Sequence, residues 1–305
     1  MNVRTSLDEL AAVAEPRHLA IGVFDGLHLG HRAVIGRALA AARDDGGTAA
    51  MVTFDPHPAR VLRPETAPLL LTHTAHKLAL AAELGVREAV VVAFDAAFCR
   101  LAAADFARAL TRACGTGGSV AVGRDWRFGH RAIGDVELLR AHGLAVAAVD
   151  PVCVNGETIS STLVREAVAA GSLDRAALFL GRAHSVLGTV MEGRKLARQL
   201  GFPTANVAVA NEQLPPNGVY AVRARWAAGG WHPGVANLGV RPTVEENGGR
   251  LLEVHLFDRD ASLYGQSMEV RFEAFLRPEQ VFTGLEALKE QIARDSAAAR
   301  AALGM

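Results

Sequence analysis

Short apolar runs alternate with stretches of helical period through the first half of the chain. The runs at 18–23, 49–54, 88–94, 118–123 and 144–149 are continuous enough to predict buried strands. Between them, 31–43, 74–84, 102–113 and 135–142 are rich in Ala, Leu and Arg and predict helices. A strand-then-helix rhythm implies parallel strands joined by right-handed crossovers, which is a doubly wound parallel sheet. One further helical stretch is predicted from Ser161 to about Leu180, closing on Gly181 and Arg182. From 185 onward the pattern changes. Segments 185–191, 218–226, 233–237, 251–257 and 267–275 alternate or are rich in β-formers, and Gly, Pro and Asn turns separate them. That pattern predicts a small antiparallel β-barrel. An amphipathic helix over about 284–303 ends the chain, with Leu285, Leu288, Ile292 and Ala299 on its apolar face. The expected fold is α/β: a doubly wound parallel-sheet domain over 1–182, then an antiparallel β-barrel domain with a terminal helix over 183–305.

Composition narrows the function classes. At 305 residues, half of them hydrophobic, two domains can each bury a core. Basic and acidic residues balance at 32 each, which argues against a nucleic-acid binder or a polybasic membrane-surface protein. Lys77, Lys195 and Lys289 are the only lysines. Arginine suits bidentate phosphate contacts, although genomic composition explains the same bias. Cys99, Cys114 and Cys153 show no CxxC spacing, so they are expected to be reduced core cysteines of a cytoplasmic protein. The N-terminus has no apolar signal core and no segment reaches spanning length, so no membrane partner is expected. The oligomeric state is left open.

The candidate chemistry begins where the first predicted strand ends. His28 and His31 fall at a turn opening a helix near Gly30 or His31. Free N–H groups and the positive end of the helix dipole make such a terminus an anion site. Gly26 and Gly30 let a ligand approach the backbone, and two imidazoles suit a phosphate that gains charge during reaction. A structural histidine pair is the alternative, which the strand–turn–helix setting disfavours. Other marked residues also follow strands: Asp55–Pro58, Asp95 and Gly123–Gly129. Ligands of open parallel sheets bind at those carboxyl ends. Ser161 and Thr162, at the start of another helix, either cap it or hold a phosphate, with Arg165 one turn on.

In the second half, Gly193, Arg198 and Gly201 lie in a basic loop that can wrap a polyphosphate. Thr204 and Asn206, two apart in an extended segment, offer hard oxygens that suit Mg²⁺; a turn with Pro203 ending a strand is the alternative. Glu253 sits in an alternating strand, on one face with Leu251 and His255. A carboxylate there is costly unless paired or working, and a general base is a sensible use.

Two family resemblances span about 18–296. His28-Leu29-Gly30-His31 and Ile159–Arg165 resemble the HxGH and ISSTxxR motifs of the adenylyl- and cytidylyltransferase superfamily. With Gly22–His31, Thr53–Pro58, Leu71-Thr72, Lys77-Leu78 and Val122–Gly129, the first half resembles the FAD synthetase module of bacterial bifunctional flavin enzymes. The resemblance implies attack of FMN on the α-phosphate of ATP, giving FAD and pyrophosphate. It implies that His28, His31 and Arg165 are catalytic, and that Gly22, Phe24, Asp25, Gly26, Gly30, Ser161 and Thr162 bind ATP. Asp125, Trp126 and Phe128 either seat a flavin or adenine ring or pack a loop.

Gly201–Asn206, Asn217–Tyr220, Asn237–Thr243, Glu253–Leu256, Leu263–Gly265 and Leu276-Arg277 resemble the riboflavin kinase module. That likeness implies transfer of the ATP γ-phosphoryl group to riboflavin. Thr204 and Asn206 would sit at Mg-ATP, Glu253 would be the base and Arg277 would lie near the flavin. Three positions depart from the pattern. Gly181-Arg182-Ala183-His184 replaces the usual junction, Ala197 replaces a loop glycine, and Trp126 replaces Phe. If position 197 needs φ > 0, the kinase module binds ATP less tightly. The rivals are a chain keeping only FAD synthesis and a non-catalytic flavin-binding regulator. A general cytidylyltransferase leaves the barrel unexplained.

Overall fold

The computed structural model describes residues 1–11, 15–192, 201–227, 229–240, 250–259 and 263–305. They form two compact units, Met1–Leu69 with His73–Ser161, and Leu70–Thr72 with Thr162–Met305. The division by packing thus falls after the first residue of the helical stretch, at Ser161/Thr162, whereas the change of sequence pattern falls after its end.

In the first unit, β1 (Asn2–Arg4), β2 (Arg17–Ile21), β3 (Thr48–Asp55), β4 (Glu88–Ala93), β5 (Ser119–Gly123) and β6 (Ala145–Val149) form one sheet. Its order is β1-β4-β3-β2-β5-β6 and every pairing is parallel. The five predicted strands are all there. The sixth, β1, is three residues long and mostly exposed, too short to carry a periodic signal. Helices α1 (Leu29–Asp45), α2 (Pro58–Leu62), α3 (Thr74–Glu83), α4 (Ala103–Cys114) and α5 (Val136–Ala141) connect the strands. A small hairpin, β7 (Cys153–Val154) with β8 (Glu157–Thr158), precedes the last residues of the unit.

Both faces of the sheet are covered, as parallel sheets require. Val34, Ile35 and Ala38 of α1 pack with Leu80 and Ala81 of α3 against Ala20, Met51, Ala89 and Ala121. The other face carries Leu19, Ile21, Ala50, Val52, Val90 and Val120 against Phe106, Ala107 and Leu110 of α4 and Leu139 of α5. Polar groups are thereby pushed to the strand ends. At the amino ends, the Glu88 carboxylate accepts from Arg17 Nε at 3.0 Å and Arg4 Nη2 at 3.1 Å, joining β1, β2 and β4. Beside them, buried His18 bridges Ser119 Oγ at 2.8 Å and Asp45 Oδ2 at 2.9 Å.

The second unit begins with α6 (Ser161–Ala169, whose first residue clusters with the first unit) and α7 (Leu173–Leu180). The sequence predicts one helix here. Gly171, at φ +72°, breaks it in two, because a left-handed residue cannot continue a helix. Next come β9 (Ser185–Met191), β10 (Ala205–Val209), β11 (Gly218–Trp226), β12 (His232–Val240), β13 (Arg250–Leu256) and β14 (Ser267–Arg277). They close into an antiparallel barrel in the order β10-β13-β12-β11-β14-β9, with β9 pairing back to β10. Val190, Val207, Tyr220, Val222, Leu238, Leu252, Val254, Val270 and Phe272 fill its inside.

The final helix, α8 (Leu285–Ala302), packs outside the barrel, with Ala299 against Val219, Ala221 and Val235. Ala299 is buried and Leu288 and Ile292 are half-buried on the expected face, which departs from expectation at its first position. Leu285 is exposed, whereas Asp295 is buried because Arg277 grips it with two hydrogen bonds, Nε–Oδ1 at 2.8 Å and Nη2–Oδ2 at 2.7 Å. The cysteines also divide. Cys114 is core, its thiol pushed up to about 12 by burial, whereas Cys153 is exposed.

Burial raises the Glu88 pKa, but the hydrogen bonds and charges of Arg17 and Arg4 outweigh it and hold the carboxyl below its ordinary 4.5. The stability this group contributes is therefore complete above that value and lost as pH falls through the lower, folded one. Glu88→Gln is expected to cost about 3 kcal/mol by urea unfolding at pH 7, since it removes the negative charge that the buried Arg17 and the half-buried Arg4 share. The variant's stability is expected to fall less steeply below pH 4.5 than the parent's.

Candidate active sites

In the first unit, the turn after β2 is held at several points. Gly22 N–H donates to the Val52 carbonyl at 3.1 Å, and Thr53 Oγ1 donates to the Val23 carbonyl at 3.1 Å. Phe24 and Leu27 are left-handed at φ +54° and +42°, and Gly26 has φ +80°. These conformations raise His28 to the end of α1, one residue earlier than the sequence suggests. Its Nδ1 caps the helix by accepting His31 N–H at 3.3 Å. A neutral ring accepting at Nδ1 carries its proton on Nε2, and so retains a donor.

The imidazoles of His28 and His31 stack with centroids 3.6 Å apart and planes 20° from parallel. Phe24, itself 1% exposed, meets His31 edge-on at 5.4 Å and belongs to the core against α1. Phe24 thus sets the place of a histidine rather than lining an open surface. Gly30 has a more specific reason than ligand access. A Cβ there would lie 3.1 Å from His28 Cε1 and 3.2 Å from Nδ1, so the missing side chain makes room for the imidazole.

Asp25 is 2% exposed, and its carbonyl accepts from Ser161 Oγ at 2.9 Å. This bond joins the second phosphate motif to the first turn, bringing together residues distant in sequence. Thr162 is exposed and Arg165 half-buried, both on α6. In the loop after β5, Asp125 is exposed. Trp126 and Phe128 stack at 4.8 Å, and Phe128 packs against Phe106 at 5.7 Å in the core.

The second unit carries its polar residues on the outside of the barrel. Ala205 and Val207 point inward, so Thr204 and Asn206 face out; Leu252 and Val254 point inward, so Glu253 faces out. Register aligns these faces. Asn206 of β10 is opposite Glu253 of β13, which is opposite Asn237 of β12. The result is an amide–carboxylate–amide row across three strands. His255, one step along the same face, binds the Pro203 carbonyl through Nδ1 at 2.9 Å and meets the Phe202 ring at 5.5 Å, edge to face. It ties down the segment leading into Thr204. Asn237 opens one of the family-like segments, but its sequence position assigns it no role. Alternation puts it on the outer face, but only the register places it beside Glu253.

Gly201 is exposed at φ +88°. Gly193, Ala197 and Arg198 lie outside the described residues. Arg277 uses Nε and Nη2 on Asp295 and Nη1 on the Pro278 carbonyl at 2.8 Å, so it fastens β14 and the following segment to α8. Among the described residues there is no group of three or more His, Cys, Asp or Glu able to hold a metal, and no helix long and apolar enough to cross a membrane. Thr204 and Asn206 supply hard oxygens beside a carboxylate, the donor type suited to Mg²⁺ shared with phosphates.

Comparison with known proteins agrees with this division. Residues 11–163 match the FAD synthetase family and residues 180–303 the riboflavin kinase family. The bifunctional riboflavin kinase/FMN adenylyltransferase of Pseudomonas fluorescens is 43% identical over 286 residues, covering 92% of this chain and 91% of the relative. The Escherichia coli K12 enzyme of the same description is 38% identical over 291 residues, covering 94% and 93%. A solved chain from Streptococcus pneumoniae, described as a macrolide-efflux protein, superposes with a TM-score of 0.81 at 26% identity over 98% of both chains. The chain belongs to the bifunctional riboflavin kinase/FMN adenylyltransferase family, with its FAD synthetase part N-terminal and its riboflavin kinase part C-terminal.

Proposed function

We propose that this chain phosphorylates riboflavin to FMN in its C-terminal module, 183–305, and adenylylates FMN to FAD in its N-terminal module, 1–182, in the cytoplasm. The observation that carries the adenylyl-transfer reading is the stacked His28/His31 pair at the open end of α1. A phosphate oxygen of FMN attacks the α-phosphorus of ATP, and the bond to pyrophosphate breaks. His28 Nε2–H and the His31 ring lie at the helix terminus, where donors and dipole favour the charge that accumulates on the α-phosphate. Gly22, Asp25, Gly26 and Gly30 shape the ATP site, with Phe24 acting through His31. Ser161, Thr162 and Arg165 hold the departing pyrophosphate. Asp125 and Trp126 seat the flavin ring, with the buried Phe128 stacked behind Trp126 as its support. No covalent intermediate is required, because alignment and charge neutralisation carry the rate.

For the kinase, the supporting observation is the Asn206–Glu253–Asn237 row. Glu253 accepts the proton of the riboflavin 5′-hydroxyl as its oxygen attacks the γ-phosphorus and ADP leaves. Thr204 and Asn206 would hold Mg²⁺, which would supply charge stabilisation for the phosphates. Gly193, Arg198 and Gly201 wrap the polyphosphate. Arg277 serves the flavin through the segment it anchors at Pro278.

The two activities are separable by chromatography of FMN and FAD. His28→Ala is expected to lower FAD formation from FMN and ATP by at least about 100-fold, the loss typical of a transition-state donor. Its conversion of riboflavin to FMN is expected to stay within about twofold of the parent; undiminished FAD output would refute the assignment of His28. Glu253→Gln is expected to do the reverse. FMN formation should drop about 100–10,000-fold, as for loss of a general base, while FAD forms normally from supplied FMN. A parent protein that makes no FMN from riboflavin would leave the chain with FAD synthesis alone.

A further inference from the structure

Lys77 is a buried cation with no part in either reaction as written. It is 4% exposed on α3, where an ammonium is expensive to keep. Its Nζ donates to Thr53 Oγ1 at 3.3 Å. Thr53 is completely buried on β3, and its one hydroxyl proton is already committed to the Val23 carbonyl at 3.1 Å. The direction of the chain is therefore set: Lys77 donates to Thr53, and Thr53 donates to Val23. Val23 opens the turn whose left-handed residues Phe24 and Leu27 precede His28. Left-handed non-glycine residues persist only where their surroundings hold them. Burial lowers the Lys77 pKa, while the carboxylates of Asp25 and Asp55 oppose that shift and favour the charged form. Asp25 belongs to the same turn, so a second tie runs from Lys77 to it by charge.

We infer that Lys77 and Thr53 form a positioning relay for adenylyl transfer. The ammonium fixes the Thr53 rotor, the hydroxyl fixes the Val23 carbonyl, and the carbonyl fixes the turn that delivers His28 to the end of α1. Neither residue touches the reacting atoms. The inference rests on the assignment of His28 to the α-phosphate, and it adds that the imidazole's placement is controlled from β3 and α3.

The decisive variant is Thr53→Val, which removes both hydrogen bonds at nearly constant volume. Misplacement of a group that acts in the transition state lowers kcat with little change in KM. Thr53→Val is expected to reduce kcat for FAD formation by about 10–100-fold, with KM for ATP within about threefold of the parent. Thr53→Ser keeps the hydroxyl and is expected to restore kcat to within about threefold. Lys77→Met should resemble Thr53→Val, and the double variant should lose no more than the worse single one, because the two act in series.

Riboflavin phosphorylation by the same chain monitors the fold and is expected to be unchanged. Parental kcat in Thr53→Val overturns the relay, whatever Lys77→Met does. So does an equal loss in Thr53→Ser, or a parallel loss of kinase activity. His28→Ala, run alongside, tests the underlying reading separately: if it still makes FAD, the assignment of His28 fails regardless of Thr53.

Discussion

Complete burial of the strands decides where chemistry can go. In the first unit, helices cover both faces of a parallel sheet, so no side chain along β2, β3 or β5 reaches solvent through the middle of a face. The carboxyl ends of the strands are left, together with the helix termini that open beside them. In the second unit, closure of the barrel fills the inward positions of the described residues with Val, Leu, Ala, Met, Tyr and Phe. The polar residues of its strands consequently stand on the outer face, where antiparallel register aligns them in rows. One architecture collects donors at a point and the other spreads them along a line. This is why the first site is built from a helix end and the second from neighbouring strands.

The elements most legible in the sequence were those whose burial is two-sided or strictly alternating. β2, β3 and β4 announce themselves as apolar runs, and β13 by its period of two. β1 stayed hidden because an exposed edge of three residues has no pattern to show. β10 was hidden behind Pro203: Thr204 and Asn206 read as an extended segment, but pairing to both β9 and β13 is a long-range fact. The helical stretch from Ser161 hid its break because Gly171 is tolerated in a helical pattern until its φ is known.

Site residues divided the same way. His28, His31, Ser161 and Glu253 were visible as residue types in telling positions. The Ser161–Asp25 contact, across more than a hundred residues, could only be inferred by likeness. Phe24 reads as an ATP contact and Phe128 as a ring-seating candidate, yet aromatic identity does not say which way a ring faces, and both lie in the core. Arg277 is the clearest case of a hidden partner. An arginine at a strand end invites a ligand, but Asp295, eighteen residues on, takes it in a two-point grip. The same pairing lets α8 bury an aspartate on the face it shares with Leu288, Ile292 and Ala299.

Gly30 illustrates a different kind of limit. Glycine near the start of a helix lowers helix propensity by about 1 kcal/mol relative to alanine. On propensity alone, a designer raising the thermal tolerance of this protein would consider that exchange. Here a Cβ would come to 3.1 Å from His28 Cε1, closer than side chains ordinarily pack. An alanine at position 30 would press the His28 ring aside by a few tenths of an ångström, so the first turn of α1 gives up helix propensity to the residue it must accommodate.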